Sequence, residues 1–382
     1  MPVRKIISIA VAGVICAFLL WPAGVYAEYG LLNMTRGVTS TSKSVYELHM
    51  LSLALVTVIA CIVFGVMFWS LYHHRKSRGV TPAQFHHSTT WEVVWTVIPI
   101  LILVAFAVPA TKTLIYMEKT ENPDLTIKIT GYQWRWKYDY QDENLGFFSA
   151  LTPEQNAARQ KGSGVDVSKI ENYLRDVDNP VVIPVNKKVR LLTTANDVIH
   201  SWWIPDLGWK RDAIPGFIND NWTMVSEIGT YRGQCAELCG KDHGYMPIVL
   251  RVVSEQDYHD WVAKMKQAQA AAAAGVDRTW AREELMERGQ QIYNNICAAC
   301  HQPNGQGLPP AFPALAGSAI ATGPLDAHIN IVLNGKTGTA MQAFRSQLNP
   351  VDLAAVITFE RNSFGNAVGD LVQPAAIQAA EK

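Results

Sequence analysis

The stretch "CAELCGKDHGYM", residues 235–246, brings Cys235, Cys239, His243 and Met246 within twelve positions. Thiolate, imidazole and thioether together make a soft donor set of the kind that holds copper. A single blue-copper ion takes one cysteine, two histidines and a weak methionine, whereas two thiolates can bridge two copper ions that share one electron. Each ion then needs an imidazole, so a second histidine must come from elsewhere. His200 in "NDVIHSWW" is the candidate. Taken alone, a histidine before two tryptophans is a packing residue. Cys235 and Cys239, also taken alone, read as a disulfide of an oxidising compartment. A Cys-x-x-x-Cys bridge is strained, however, and would leave His243 and Met246 without a role.

A second cluster, "ICAACHQPNGQG", holds Cys297, Cys300 and His301. Cys-x-x-Cys-His is the spacing of c-type haem attachment. The two thiols can each add to a vinyl group on one porphyrin edge, and the adjacent histidine then lies beneath the iron. A redox dithiol and half of a zinc site are the competing readings, but no second cysteine pair follows to complete a zinc site. For the opposite face of the iron, Met341 in "NGKTGTAMQAF" is the one methionine after His301, and His328 is the other candidate. A thioether stabilises reduced iron, which suits an electron carrier, and His328 reads better as a helix residue.

These clusters sit in a chain of 382 residues, 49% hydrophobic and 17% charged, a balance that leans toward the membrane. Lys plus Arg equals Asp plus Glu at 33 each, so there is no global basic field to draw the chain onto nucleic acid. Residues 1–27 carry Arg4 and Lys5, an apolar run and "VYA", the pattern of a cleaved secretory signal. Met50 to Tyr72 and Val93 to Ala110 hold no charged residue and, at about 1.5 Å per residue, are long enough to cross roughly 30 Å of hydrocarbon. The expected helices are about 50–72 and 93–115, within an N-terminal segment 28–120. Between them, Arg75, Lys76 and Arg78 meet no acid, which places that loop in the cytoplasm and everything beyond Thr111 outside. Of six cysteines, Cys16 falls in the signal and Cys61 in a membrane helix.

Past the hairpin the hydrophobic period becomes that of strands. "LTIKIT", "VVIPVNKKVRLLTT" and "MPIVLRVV" are rich in Val, Ile and Thr, and argue for a β-sandwich or barrel over 121–254. Residues 142–180 lack a steady period and read as a surface insertion, partly helical, with little chemistry. "SEQD" opens a helix with a capping signature and leads into an alanine-rich link, 255–278. An all-α domain holding the haem motif follows, 279–382. The fold class is therefore multi-domain: a transmembrane helix hairpin, a β-sandwich and a helical cytochrome c domain.

The membrane hairpin, "GYQWRWKYDY", "VIHSW" and "GQCAELCGKDHGYMP" are similar to subunit II of haem-copper cytochrome c oxidase. The C-terminal part resembles the class I cytochrome c that bacterial variants carry fused to it, and whose methionine loop follows the haem motif by this kind of interval. The resemblance implies a cupredoxin-like copper A domain with His200, Cys235, Cys239, His243, Met246 and the Glu237 carbonyl as ligands. It implies a magnesium ion at the Glu237 carboxylate, Trp134 as the point where electrons arrive, and Glu92 as a proton-uptake group of the catalytic subunit. Trp136, two residues on, is expected on the same strand face as Trp134. On residues alone, Glu92 is simply the acid of a Thr89-x-x-Glu92 capping box, and "GYQWRWKYDY" is a buried aromatic strand. The implied function is electron relay from cytochrome c through the fused haem and copper A to subunit I, where oxygen becomes water with proton translocation. The implied partners are subunits I and III and membrane lipid, and the implied place is a bacterial cytoplasmic membrane. The corresponding subunit of a copper A nitric oxide reductase shares every ligand, and a membrane-anchored copper-delivery protein is a reading of another class.

Overall fold

The computed structural model describes residues 33–81, 83–84 and 86–381. The segment read as a signal, with Cys16, lies outside them. Two helices, α1 (Ser40–His73) and α2 (Thr89–Met117), contribute Ser42–His73 and Thr89–Ala110 to the first compact unit. Both are longer than the apolar spans read from sequence, because helix geometry continues beyond the uncharged stretch at each end. Their apolar windows are unburied, the condition that lipid contact demands. Cys61 is exposed on α1.

The second unit runs from Thr111 onward and includes Val38–Thr41. Ten strands make two five-stranded sheets: β1 (Leu125–Tyr132), β2 (Arg135–Tyr140), β3 (Leu145–Ser149), β4 (Val181–Pro184), β5 (Val189–Ala195), β6 (His200–Ile204), β7 (Trp209–Ala213), β8 (Asn219–Thr223), β9 (Gly229–Cys235) and β10 (Pro247–Val253). One sheet has the order β3-β2-β1-β5-β8 and the other β4-β10-β9-β6-β7. Pairing is antiparallel except for β1 with β5 and β4 with β10. Alternation explains the faces: Leu125, Ile127 and Ile129 of β1 point inward, where they meet Trp136, Tyr138, Ile183, Trp202 and Ile204. Buried polar groups in this core find partners. The Tyr140 hydroxyl donates to the Val182 carbonyl and accepts from its N–H, both at 2.8 Å.

The stretch 142–180 is more than a surface insertion. Its first part is β3, an edge strand on β2, and a short helix α3 (Pro153–Ala158) follows, capped by Thr152. The five-residue strand is too short to show a period against its polar flanks. The link is not plain either. It is the helix α4 (Glu255–Ala274), begun by Ser254, whose hydroxyl accepts from Asp257 N–H at 3.1 Å. Its first half packs on the sandwich through Tyr258, Val262 and Trp261, the last 5.3 Å from the Tyr140 ring.

The remaining helices are α5 (Arg282–Ile292), α6 (Ala298–His301), α7 (Leu325–Asn334), α8 (Pro350–Arg361) and α9 (Pro374–Glu381), around their own core of Tyr293, Ile329, Leu333, Leu353 and Ile357. α5 and α8 cross at Gly289, where an added Cβ would lie 2.2 Å from the Ala355 carbonyl oxygen, so only glycine allows the approach.

Candidate metal centre

Strand β9 ends at Cys235, which pairs across β6 with Trp202. The loop that follows turns back on itself through His243 N–H to Gly240 O at 3.2 Å and Tyr245 N–H to Asp242 O at 2.8 Å, and rejoins the sheet as Cys235 N–H meets Met246 O. This folding gathers residues spread along the loop. Cys235 Sγ and Cys239 Sγ lie 3.8 Å apart, far beyond a disulfide of about 2.05 Å, and both thiols are free. His243 Nδ1 and Met246 Sδ each lie 3.5 Å from Cys239 Sγ, and the Glu237 carbonyl oxygen lies 3.4 Å from Cys235 Sγ. His200, the first residue of β6, brings Nδ1 to 3.9 Å from Cys235 Sγ. All six groups assigned from the sequence therefore converge on one place, and His200, Cys235, Cys239 and Met246 are buried.

Several neighbours prepare the site. Asp197 accepts from His200 Nε2 at 2.8 Å, which leaves Nδ1 facing the thiols, the arrangement of a metal-ligating histidine with a carboxylate behind it. Burial opposes protonation of His200, but Asp197 and Cys235 outweigh it and raise its pKa. Gly131 leaves room for this imidazole, since a Cβ there would lie 2.6 Å from His200 Cδ2. The thiols cannot both ionise cheaply at this separation. The hydrogen bond from Cys239 holds Cys235 well below the usual thiol range, and the resulting thiolate, with burial, pushes Cys239 well above it. A metal held here takes the sulfurs as thiolates, so its binding releases protons from the cluster. Donor set, cradle and spacing fit copper.

Trp134 is not on a strand. It occupies the two-residue turn between β1 and β2, so alternation does not put Trp136 beside it. Trp134 is half-buried and donates through Nε1 to the Cys239 carbonyl at 3.1 Å, which also accepts from Gln133 Nε2 at 2.8 Å. Trp136 is fully buried, its ring edge-on to His200 at 5.9 Å. Glu92 is exposed in the first turn of α2.

Cys297 ends a π-helical turn, and Cys300 and His301 lie in α6. Burial pushes Cys297 well up, assisted by Glu360, and pushes Cys300 up to about 11. Neither is the depressed thiolate of a redox dithiol. His301 Nδ1 lies 2.8 Å from the Pro313 carbonyl, which leaves Nε2 available to iron. Met341 sits in the loop after α7, tied back by Lys336 N–H to Met341 O at 2.9 Å. His328 is a buried residue of α7 whose Nε2 pairs with Glu360 at 2.9 Å. Two thiols and an imidazole at this spacing fit a haem site.

The two clusters touch through residues that sequence reasoning missed. Lys241 Nζ donates to the Ala299 carbonyl, inside the Cys-x-x-Cys segment, at 2.7 Å. Asn156 of α3 donates to Asn294 O at 3.0 Å, and Arg159 forms a buried 2.8 Å ion pair with Asp242 of the copper loop. A lone arginine in an aperiodic stretch gave no signal of this pairing.

Three family models match the chain: cytochrome c oxidase subunit II, periplasmic domain, over residues 125–253; the transmembrane domain of the same subunit over 27–113; and cytochrome c oxidase, cbb3-type, subunit III, over 284–359. The probable cytochrome c oxidase subunit 2 of Rickettsia prowazekii is 45% identical over 58% of this chain and 68% of its own. The chain belongs to the cytochrome c oxidase subunit II family. The subunit 2 of Arabidopsis thaliana is 34% identical over 65% of this chain and 94% of its own. A crystal structure of the periplasmic domain of subunit II of cytochrome oxidase of Bradyrhizobium japonicum is 40% identical, covering 39% of this chain and 98% of that one, with a TM-score of 0.34. Family membership implies a copper A centre in the sandwich and a haem in the C-terminal helices. It makes the chain an electron-transfer subunit of an oxidase complex, membrane-anchored with a large periplasmic part.

Proposed function

We propose that the chain relays electrons in a respiratory terminal oxidase. The C-terminal haem domain is the receiving end, served by a cytochrome c donor. A binuclear copper A site in the sandwich is the delivering end, directed to subunit I, where oxygen is reduced to water with proton translocation. The observation that carries this reading is the convergence of His200, Cys235, Cys239, His243, Met246 and the Glu237 carbonyl next to a haem motif joined to the same loop by Lys241.

When bound, a copper pair and a haem iron supply one-electron chemistry with no bond made or broken in a substrate. The protein's part is to hold and orient. Cys235, Cys239, His200, His243, Met246 and the Glu237 carbonyl would hold the copper pair, the thiols and imidazoles supplying soft and borderline donors. Cys297 and Cys300 would carry the haem covalently, with His301 and Met341 on the iron. The Glu237 carboxylate would face a magnesium ion at the boundary with subunit I, and Glu92 would serve proton uptake. Subunit III completes the assembly in a bacterial cytoplasmic membrane.

The test is spectroscopic, on the full chain extracted in detergent. An oxidised sample should show copper hyperfine structure from two equivalent nuclei sharing one electron, and the denatured chain should retain its haem. A spectrum of isolated copper ions, at one per chain, would sink the binuclear assignment.

A further inference from the structure

Asp197 is a turn residue with all of its acceptor capacity in use. Oδ1 accepts from its neighbour Val198 N–H at 2.7 Å and from His200 Nε2 at 2.8 Å. Oδ2 accepts from Gln133 N–H at 2.8 Å and from Gln342 Nε2 at 2.9 Å. Its side chain is 10% exposed. A carboxylate with both oxygens filled by four donors is held in one orientation. Two of those donors come from opposite sides of the relay: His200 belongs to the copper cluster, and Gln342 follows Met341 in the haem domain.

The rest of the contact fixes which way Gln342 points. Gln347 donates through Nε2 to Gln342 Oε1 at 3.3 Å and to Ala343 O at 2.7 Å, so the Gln342 amide must turn its nitrogen to Asp197. Gln347 in turn accepts from Arg135 Nη2 at 2.5 Å. Arg135 and Gln133 flank Trp134. The hydrogen bonds Gln133–Asp197–Gln342–Gln347–Arg135 therefore form a loop that closes through the Trp134 backbone and ties the turn between β1 and β2 to the segment 342–347.

We propose that Asp197 is a positioning residue that seats the haem domain on the copper domain, through Gln342, while holding His200 in its ligating orientation. This rests on the relay reading above and adds the device that sets its geometry. Because Met341 and Gln342 are consecutive, a shift of the methionine loop pulls directly on the carboxylate that orients His200. The surface around Trp134 is then occupied by the chain's own haem domain, and an external donor delivers to that domain instead.

The test uses the full-length chain in its oxidase complex. Gln342→Glu sets a second carboxylate against Asp197. Hydrogen exchange should then rise about tenfold or more in peptides covering 131–136 and 339–348, since one charge-assisted bond is lost and repulsion replaces it. Flash-initiated electron transfer from haem to copper should slow by about the same factor. Gln342→Leu removes the donor without adding a charge and leaves the Gln133 N–H bond to Asp197 in place, so it should raise exchange in the same peptides and slow transfer by a smaller factor than Gln342→Glu. Wild-type exchange in Gln342→Glu overturns the proposal, and so does a rise confined to the peptide 339–348 with 131–136 unchanged. The exchange readout needs no metal, so the seating can fail while the copper spectrum stands, or the reverse.

Discussion

Trp134 donates its indole N–H to the carbonyl of Cys239 at 3.1 Å, so the turn between β1 and β2 is bonded to the backbone of a residue proposed to hold copper. Gln133 donates to the same oxygen. Loss of either donor leaves the carbonyl satisfied and costs about 1 kcal/mol. Trp134→Ala should therefore keep both metal spectra while slowing haem-to-copper transfer, measured by flash reduction of the full chain. Trp134→Phe, which keeps a ring and loses the N–H, separates the two roles: a rate near wild type would credit the ring, and a rate as slow as in the alanine variant would credit the hydrogen bond.

Gly131 sits where an added methyl group would lie 2.6 Å from the His200 ring. Gly131→Ala should displace the imidazole and alter the copper spectrum. The expected stability loss is about 1–3 kcal/mol, typical of a local overpacking. Denaturant unfolding followed beside the copper absorbance would show both effects. An unchanged copper spectrum would mean that β1 moves instead and that the cradle is not specific to His200.

What could be read in the sequence follows physical locality. Cys235, Cys239, His243 and Met246 are unusual residue types crowded into one loop, and the Cys297-x-x-Cys300-His301 spacing is local too. The apolar spans and the Val/Ile-rich strands announce themselves by period. Asp197 did not, because an aspartate in "NDV" is an ordinary turn residue by propensity, and its partner Gln342 lies 145 positions away. Trp134 was misplaced because strand alternation was carried through a two-residue turn. The seating of α4 was hidden by an alanine-rich composition that says nothing about what Tyr258 and Val262 touch.

His328 and Met341 can be told apart by what each substitution leaves behind. His328→Ala removes the partner of Glu360, which is 4% exposed. An orphaned buried carboxylate should destabilise the helical domain by a few kcal/mol, on the order of 3–5 if it stays charged. The haem spectrum of the folded fraction should be unchanged. Met341→Ala should instead abolish the sulfur-to-iron charge-transfer band with smaller effect on stability. The reverse pattern would transfer the axial role to His328.

Glu92 stands in the first turn of α2, where a carboxylate favours the helix N-terminus whatever else it does. Glu92→Gln keeps the size and most of the hydrogen bonding of the side chain. A capping role alone predicts normal turnover and a stability loss below about 1 kcal/mol. A proton-uptake role predicts intact haem and copper spectra with slow oxygen consumption by the complex. Oxygen consumption at the wild-type rate would remove Glu92 from the proton path.

Arg159 links the overlooked α3 segment to the copper loop. Its guanidinium stacks 4.1 Å from the Tyr245 ring centre and pairs with Asp242 at 2.8 Å, and Asp242 keeps only 5% of its side-chain surface. A buried pair adds little net stability, because desolvation offsets most of the attraction. Removing one member is different. Arg159→Ala leaves Asp242 unpaired three residues from Cys239 and one from His243, and should cost about 3–5 kcal/mol. Asp242→Asn in the same background removes the stranded charge and should return much of that loss. The loop 236–246 supplies most of the proposed copper ligands, so the single variant should release copper to a chelator faster than wild type, and the double variant should release it more slowly than the single. Equal release rates in all three would place the Arg159–Asp242 pair outside the support of the copper loop, and would confine α3 to its contact with Asn294.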